Sequence, residues 1–227
     1  MTRTPRPCAP SCRRLAVGTA AFVTTLGVAF TAPLPAQAAS ANPSTTSTAI
    51  AAEATQALDA LARWETTGSV GDYTSYLRAR SQAANSTATE LGVPVDDLKD
   101  AWSDVSVDKQ HVVLSAISQL GVPYRSRMSQ EGRGFDCSGL VLFAYSEAGI
   151  ELPRSSGDQI RAATEVEQSD AEPGDLVYYP GHISLYLGAD LMVHSPQSGQ
   201  DVEVRHLFDR SLRFGEAVPD TPVAFGG

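Results

Sequence analysis

The chain has 227 residues, 42% of them hydrophobic, and 26 acidic against 17 basic residues give a formal net charge of −9. That balance argues against broad electrostatic adsorption to nucleic acid or to anionic lipid, so neither is expected as a partner.

The first 38 residues do not read as part of a fold. Arg3, Arg6, Arg13 and Arg14 make a positive start, Leu15 to Phe30 is an apolar run, and Ala36-Gln37-Ala38 is a small-x-small cleavage site. That is the plan of a secretory signal peptide, expected to be cut after Ala38. The apolar run is short for a membrane span, so no membrane attachment is expected after cleavage. Cleavage would remove four arginines, leaving 13 basic against 26 acidic residues and a charge of −13. Cys8 and Cys12 would leave with the signal, making Cys137 the one cysteine of the mature chain. A lone thiol in an exported protein is either buried and inert or kept for its reactivity.

Residues 39–105 read as a small, alanine-rich helical module after a polar leader running to about Thr48. Ile50, Ala54, Leu58, Leu61 and Trp64 recur at helical spacing. A second helix is expected from an Asp72 cap to Gly92, and a third behind an Asp96 cap, with Leu98, Ala101, Trp102 and Val105 inward. So small a module would bury little alone and is expected to pack on the rest.

From Asp108 the texture changes. A helix capped by Asp108 is predicted to end at Leu120-Gly121, and another runs from Cys137 to Ala148. A short helix follows a Ser155 or Ser156 cap. Strands are predicted over 175–179, 182–187, 191–194 and 202–204. Helices followed by a strand meander indicate an α+β domain over 106–227.

The chemistry centres on Phe135-Asp136-Cys137-Ser138-Gly139-Leu140-Val141. Here a cysteine stands where a loop enters a helix. The free N–H groups and partial positive charge of a helix start favour thiolate, and a nearby imidazolium would lower the thiol pKa further. The same N–H groups could hold the oxyanion formed when the sulfur attacks a carbonyl. Asp136 reads as a cap for this helix, and Gly139 would allow a close backbone approach.

A thiol nucleophile needs a base, and the base needs orienting. His111 and His206 read as solvated or packed histidines. His182 and His194 fall on two strands joined at Gly188-Ala189-Asp190. A three-residue loop there would set Leu187 against Leu191 and Ser184 against His194, making His182 and His194 diagonal neighbours on one face. A two-residue loop would send them to opposite faces. Metal binding by the two histidines is the competing reading, but a third ligand is not obviously placed.

The order of motifs resembles the NlpC/P60 cell-wall peptidases. It runs Gly121-x-Pro123-Tyr124, Asp136-Cys137-Ser138-Gly139-Leu140-Val141, Leu152-Pro153-Arg154-Ser155-Ser156, Pro173-Gly174-Asp175-Leu176-Val177-Tyr178-Tyr179, Gly181-His182-Ile183-Ser184-Leu185-Tyr186-Leu187-Gly188 and Met192-Val193-His194-Ser195-Pro196. The resemblance covers about residues 108–210. It implies a papain-like α+β fold with the nucleophile helix packed on an antiparallel sheet, and a catalytic set of Cys137, His182 and His194. Tyr124 matches a family tyrosine near the nucleophile, placing it with Ser138 and Asp136 as candidates for positioning substrate or oxyanion. The implied protein is a secreted peptidoglycan hydrolase, extracellular or in the cell wall. It would cut the stem peptide at the D-isoglutamyl bond through a thioester, as a monomer without metal or cofactor. An amidase, a peptidyl or acyl transferase, and an inactive wall-binding protein are the alternatives. Arg125-Ser126-Arg127 departs from the family's aromatic and paired glycines, and Tyr179-Pro180-Gly181-His182 is a short link from strand to base.

Overall fold

The computed structural model describes residues 45–208 and 211–218. The expected signal peptide and its cleavage site lie outside the described residues, as do Cys8 and Cys12.

Three helices come first: α1 (Thr45–Thr67), α2 (Val70–Leu91) and α3 (Val95–Asp104). α1 therefore begins inside the stretch expected to be leader. The expected caps are also corrected. Ser69, not Asp72, caps α2, its hydroxyl accepting from the Gly71 and Asp72 N–H groups, and Gly92 closes that helix in the left-handed conformation. α3 starts behind Pro94 rather than behind Asp96. α4 (Val107–Ile117) starts behind Ser106, whose hydroxyl accepts from Lys109 N–H, displacing Asp108 into the first turn. A serine hydroxyl and an aspartate within the next few residues both suit a helix start, so composition alone misplaces the cap by a few residues.

The second half supplies β1 (Ser129–Gln130), β2 (Gly134–Phe135), α5 (Cys137–Glu147), α6 (Ser156–Ala162), β3 (Thr164–Val166), β4 (Leu176–Tyr179), β5 (His182–Gly188), β6 (Leu191–His194), β7 (Glu203–His206) and β8 (Arg213–Glu216). β1 and β2 form a small hairpin. The other six strands make one antiparallel sheet in the order β3-β8-β4-β5-β6-β7. This is the α+β arrangement expected, with α5 packed on β5.

The four N-terminal helices and the sheet share a core. Ile50, Leu61, Tyr76, Leu98 and Trp102 fall in the same buried cluster as Leu140, Leu176, Ile183 and Leu185. The Trp102 indole Nε1–H donates to the Leu187 carbonyl at 2.8 Å. A Cβ on Gly188 would stand 2.8 Å from that of Ala101, so α3 lies tightly on the β5 end. Lys109 is buried and holds α4 to the sheet region, its ammonium 2.7 Å from Glu172, 2.8 Å from Glu216 and 3.2 Å from Asp175. Burial opposes its charge, but the three carboxylates outweigh that and push its pKa up.

These contacts set an expectation for residues 45–105. Fully burying a large apolar side chain contributes ~1.5–3 kcal/mol, against a total stability of roughly 5–15 kcal/mol for a domain. Deleting α1 to α3 uncovers the faces that Leu61, Tyr76, Leu98 and Trp102 cover. A chain starting at Ser106 is expected to be insoluble, or to lose its cooperative thermal transition. A soluble short chain with a sharp melt would show the helices to be dispensable.

Candidate active site

α5 begins at Cys137 because Asp136 caps it. The Asp136 backbone is extended, and one carboxylate oxygen accepts from Gly139 N–H at 2.7 Å. The other oxygen accepts from Arg127 N–H and from Arg154 Nη2, each at 2.7 Å. Arg127 sits at φ 60, a conformation glycine takes freely and other residues at some cost, and its bond to Asp136 helps hold it there. Gly139 is required by space: a Cβ there would stand 2.0 Å from the Met128 carbonyl oxygen. Ser138 is buried, and its hydroxyl accepts from Arg154 Nη1 at 2.8 Å. Asp136 and Ser138 thus spend their polar atoms on the turn that presents Cys137. Arg154, which sequence reasoning passed over, ties the two together. Its place in Leu152-Pro153-Arg154-Ser155-Ser156 was the available signal.

Cys137 is a free thiol, partly buried. Burial pushes its pKa up, while the backbone N–H groups of Ile183, Ser138 and Cys137 itself pull the other way. The net direction is opposite to that expected from a helix start beside an imidazolium. The reason is burial, which outweighs the pull of those N–H groups. His182 is buried, and burial, with His194 and Arg205 adding to it, lowers its pKa from 6.5 to about 4. Both shifts favour the uncharged forms, thiol and imidazole, over an ion pair. The Ile183 N–H bond to sulfur brings the start of β5, where His182 stands, against the nucleophile.

The β5–β6 hairpin corrects the expected loop. Gly188 pairs with Leu191, so the turn is the two residues Ala189-Asp190, with φ of 50 and 55. Two positive φ values mark the tight hairpin turn whose twist suits antiparallel strands. By itself that turn would put the histidines on opposite faces. A bulge between Tyr186 and Gly188 shifts the register by one, so that Tyr186 faces Met192 and Leu185 faces Val193. Continued one step, this register sets Ser184 opposite His194. His182 and His194 therefore share a face, with His182 Nε2 2.9 Å from His194 Nδ1. The two rings meet edge to face, their centroids 5.0 Å apart.

Three further groups complete the surroundings. Tyr179 stacks on the His182 ring, with centroids 5.0 Å apart. Glu203 lies directly across from His194 in the β6–β7 ladder, its Oε1 3.3 Å from His194 Nε2. The carboxylate that sequence reasoning did not find beside the histidines is thus present, though on the far side of His194. Tyr124 bridges to Phe135, and its hydroxyl pKa is raised by burial and by nearby Cys137 and Asp136. Ser195 donates to the Phe135 carbonyl at 2.8 Å, tying the end of β6 to the strand before Cys137.

His111 and His206 are not part of this group. His111 lies on α4, where burial lowers its pKa. His206 Nε2–H donates to the Leu91 carbonyl at 3.1 Å. Among the described residues, no group of three or more His, Cys, Asp or Glu side chains is disposed to hold a metal ion, and no helix is long and apolar enough to cross a membrane.

Residues 121–213 match the family model described as NlpC/P60 family. A probable endopeptidase of Mycobacterium tuberculosis is 44% identical over 100 residues, covering 43% of this chain and 26% of the relative. The peptidoglycan endopeptidase RipB of Mycobacterium tuberculosis is 40% identical over 111 residues, covering 42% of this chain and 46% of the relative. The chain thus spans about a quarter to a half of the length of these curated relatives. Among solved structures, RipD of Mycobacterium tuberculosis, a non-catalytic NlpC/p60 domain protein adapted to peptidoglycan binding, is 30% identical. That match covers 50% of this chain and 100% of RipD, with a TM-score of 0.44.

Proposed function

We infer that this chain, which belongs to the NlpC/P60 family through residues 121–213, is an exported cysteine endopeptidase of bacterial peptidoglycan. The observation that carries this reading is the pairing of the His182 and His194 rings at 2.9 Å, with the neighbouring Ile183 N–H bonded to the Cys137 sulfur. Its relatives include enzymes named as peptidoglycan endopeptidases. The proposed substrate is the stem peptide, cut at the bond between D-isoglutamate and the diamino acid.

In this reading His182 takes the Cys137 proton as the sulfur attacks the amide carbonyl. The N–H groups at the start of α5, with Tyr124 beside them, hold the developing oxyanion. His182 then protonates the leaving amine, and water, activated by the same ring, hydrolyses the thioester. Asp136, Ser138 and Arg154 act by fixing the turn. No step requires a metal or organic cofactor.

The test is digestion of purified peptidoglycan followed by fragment mass measurement. Fragments ending at D-isoglutamate support the reading. Free stem peptides separated from intact glycan would instead mark an amidase, and masses joined to an added amine would mark a transferase. Wall binding with no fragment released would mark a binding protein.

The resting charge state gives a pH expectation. His182 works as a base only when neutral, and its pKa is lowered to about 4. Protonation on the acid side should therefore cut kcat/KM near that value, not near 6.5. Because burial raises the Cys137 thiol, no alkaline fall from this pair is expected in the neutral range. The profile should stay level from about pH 5 to about pH 8. An acid limb centred near the ordinary histidine value would show that the ring is solvated or paired with a thiolate at rest.

A further inference from the structure

Glu203 lies outside the catalytic set but makes a contact whose direction is chemically constrained. An ionised carboxylate only accepts hydrogen bonds. Its pKa is lowered by the bond to His194, against the opposing effect of its own partial burial. It is therefore ionised at neutral pH, and the proton in the 3.3 Å contact sits on His194 Nε2. A neutral imidazole has one ring proton. In the neutral ring, with that proton directed at Glu203, His194 Nδ1 is an acceptor. The 2.9 Å contact then requires His182 Nε2 to be the donor. His182 has in turn spent its one proton, and its Nδ1 carries the lone pair.

We propose that Glu203 is a positioning residue that sets the tautomers of His194 and His182 in series, leaving His182 Nδ1 unprotonated to receive the Cys137 proton. This inference rests on the endopeptidase reading for its consequence on rate, but not for the tautomers themselves.

The geometry suits the role. Glu203 and His194 are direct cross-strand partners, so the ladder holds the carboxylate against the ring. His194 is buried, while the Glu203 side chain is 44% exposed, which lets the carboxylate stay charged while touching a sheltered ring. Arg205 stands 3.8 Å from the same carboxylate oxygen, farther than His194, and can hold the negative charge without replacing the contact. The outer side of Glu203 borders a groove shared with Ile50 of α1 and Glu90 and Leu91 of α2. The N-terminal helices thus frame the residue that orients the pair. In the opposite tautomer His194 Nε2 would face the carboxylate lone pair to lone pair, and His182 Nδ1 would hold a proton towards the sulfur. That state has no base.

The experiment uses the exported chain with histidine ring nitrogens labelled, and reads by NMR which nitrogen of His182 and His194 carries the proton. In the parent, both protons are expected on Nε2. Glu203→Ala should give mixed tautomers at both rings and lower kcat on peptidoglycan by about tenfold with KM little changed. Glu203→Gln keeps an oxygen acceptor of the same shape and should restore most of the tautomer preference and of kcat. A role limited to the surface pair with Arg205 would leave both rings as in the parent. Unchanged tautomers in Glu203→Ala overturn the proposal, as does an unchanged kcat. The tautomer reading needs no turnover. A parent chain that releases no fragments would therefore sink the endopeptidase reading while leaving this inference to be judged on the NMR alone.

Discussion

Replacing Cys137 by alanine is expected to bring wall-peptide hydrolysis to background while the chain folds as before. In the proposed mechanism the sulfur is the attacking atom: it opens α5 and is met by the N–H groups of Ile183 and Ser138. Alanine keeps the Cβ that the helix start tolerates and removes only the thiol. The cap is untouched, because Asp136 bonds to Gly139, Arg127 and Arg154 rather than to Cys137. Loss of a nucleophile that works as a unit with its base costs on the order of 10⁶-fold in kcat. Stability should move by about 1–3 kcal/mol, since a half-buried sulfur is lost and the buried Ile183 N–H that met it loses that partner. Rates come from timed release of fragments from labelled peptidoglycan, and stability from a thermal melt. A variant that cleaves at the parent rate would remove Cys137 from the chemistry.

Replacing His182 should cost nearly as much. Burial pushes the thiol pKa up, so a neighbouring base is needed to take its proton at neutral pH. Because nucleophile and base act together, the double variant Cys137→Ala/His182→Ala should be no slower than either single one. His182 is also packed, with Tyr179 stacked on it and His194 at its edge. His182→Gln is therefore the better comparison for fold, keeping side-chain volume without a base of suitable pKa. Its melt should stay close to the parent while its rate matches His182→Ala. If His182→Gln kept most of the rate, or if replacing His111 or His206 instead abolished it, the pairing of β5 with β6 would not be the catalytic arrangement.

Much of this could be read along the chain. The helix at Cys137 was legible because its causes are adjacent: an aspartate to cap it, a glycine three residues on, and an apolar run behind. The strands at 176–179, 182–188 and 191–194 were legible for the same reason, since alternation and turn residues are local. The short strands Thr164–Val166 and Arg213–Glu216 were not, because they are polar and join the sheet only through each other and β4. The caps of α2, α3 and α4 were misplaced because several nearby side chains suit a helix start.

The hairpin shows where local reasoning stops. Expecting a three-residue loop placed His182 and His194 on one face, and they do share it, but through a two-residue turn and a bulge at Leu187. α3 pressing on Gly188 and the Trp102 bond to the Leu187 carbonyl accompany that bulge, and neither is written in residues 182–194. The same holds for charge. The sequence by itself determined which residues could be nucleophile and base. Only the tertiary structure decided that burial favours the uncharged form of each, because burial depends on what covers them. It alone set Glu203 against His194, since two strands separated by residues 195–202 come into register only when the sheet closes.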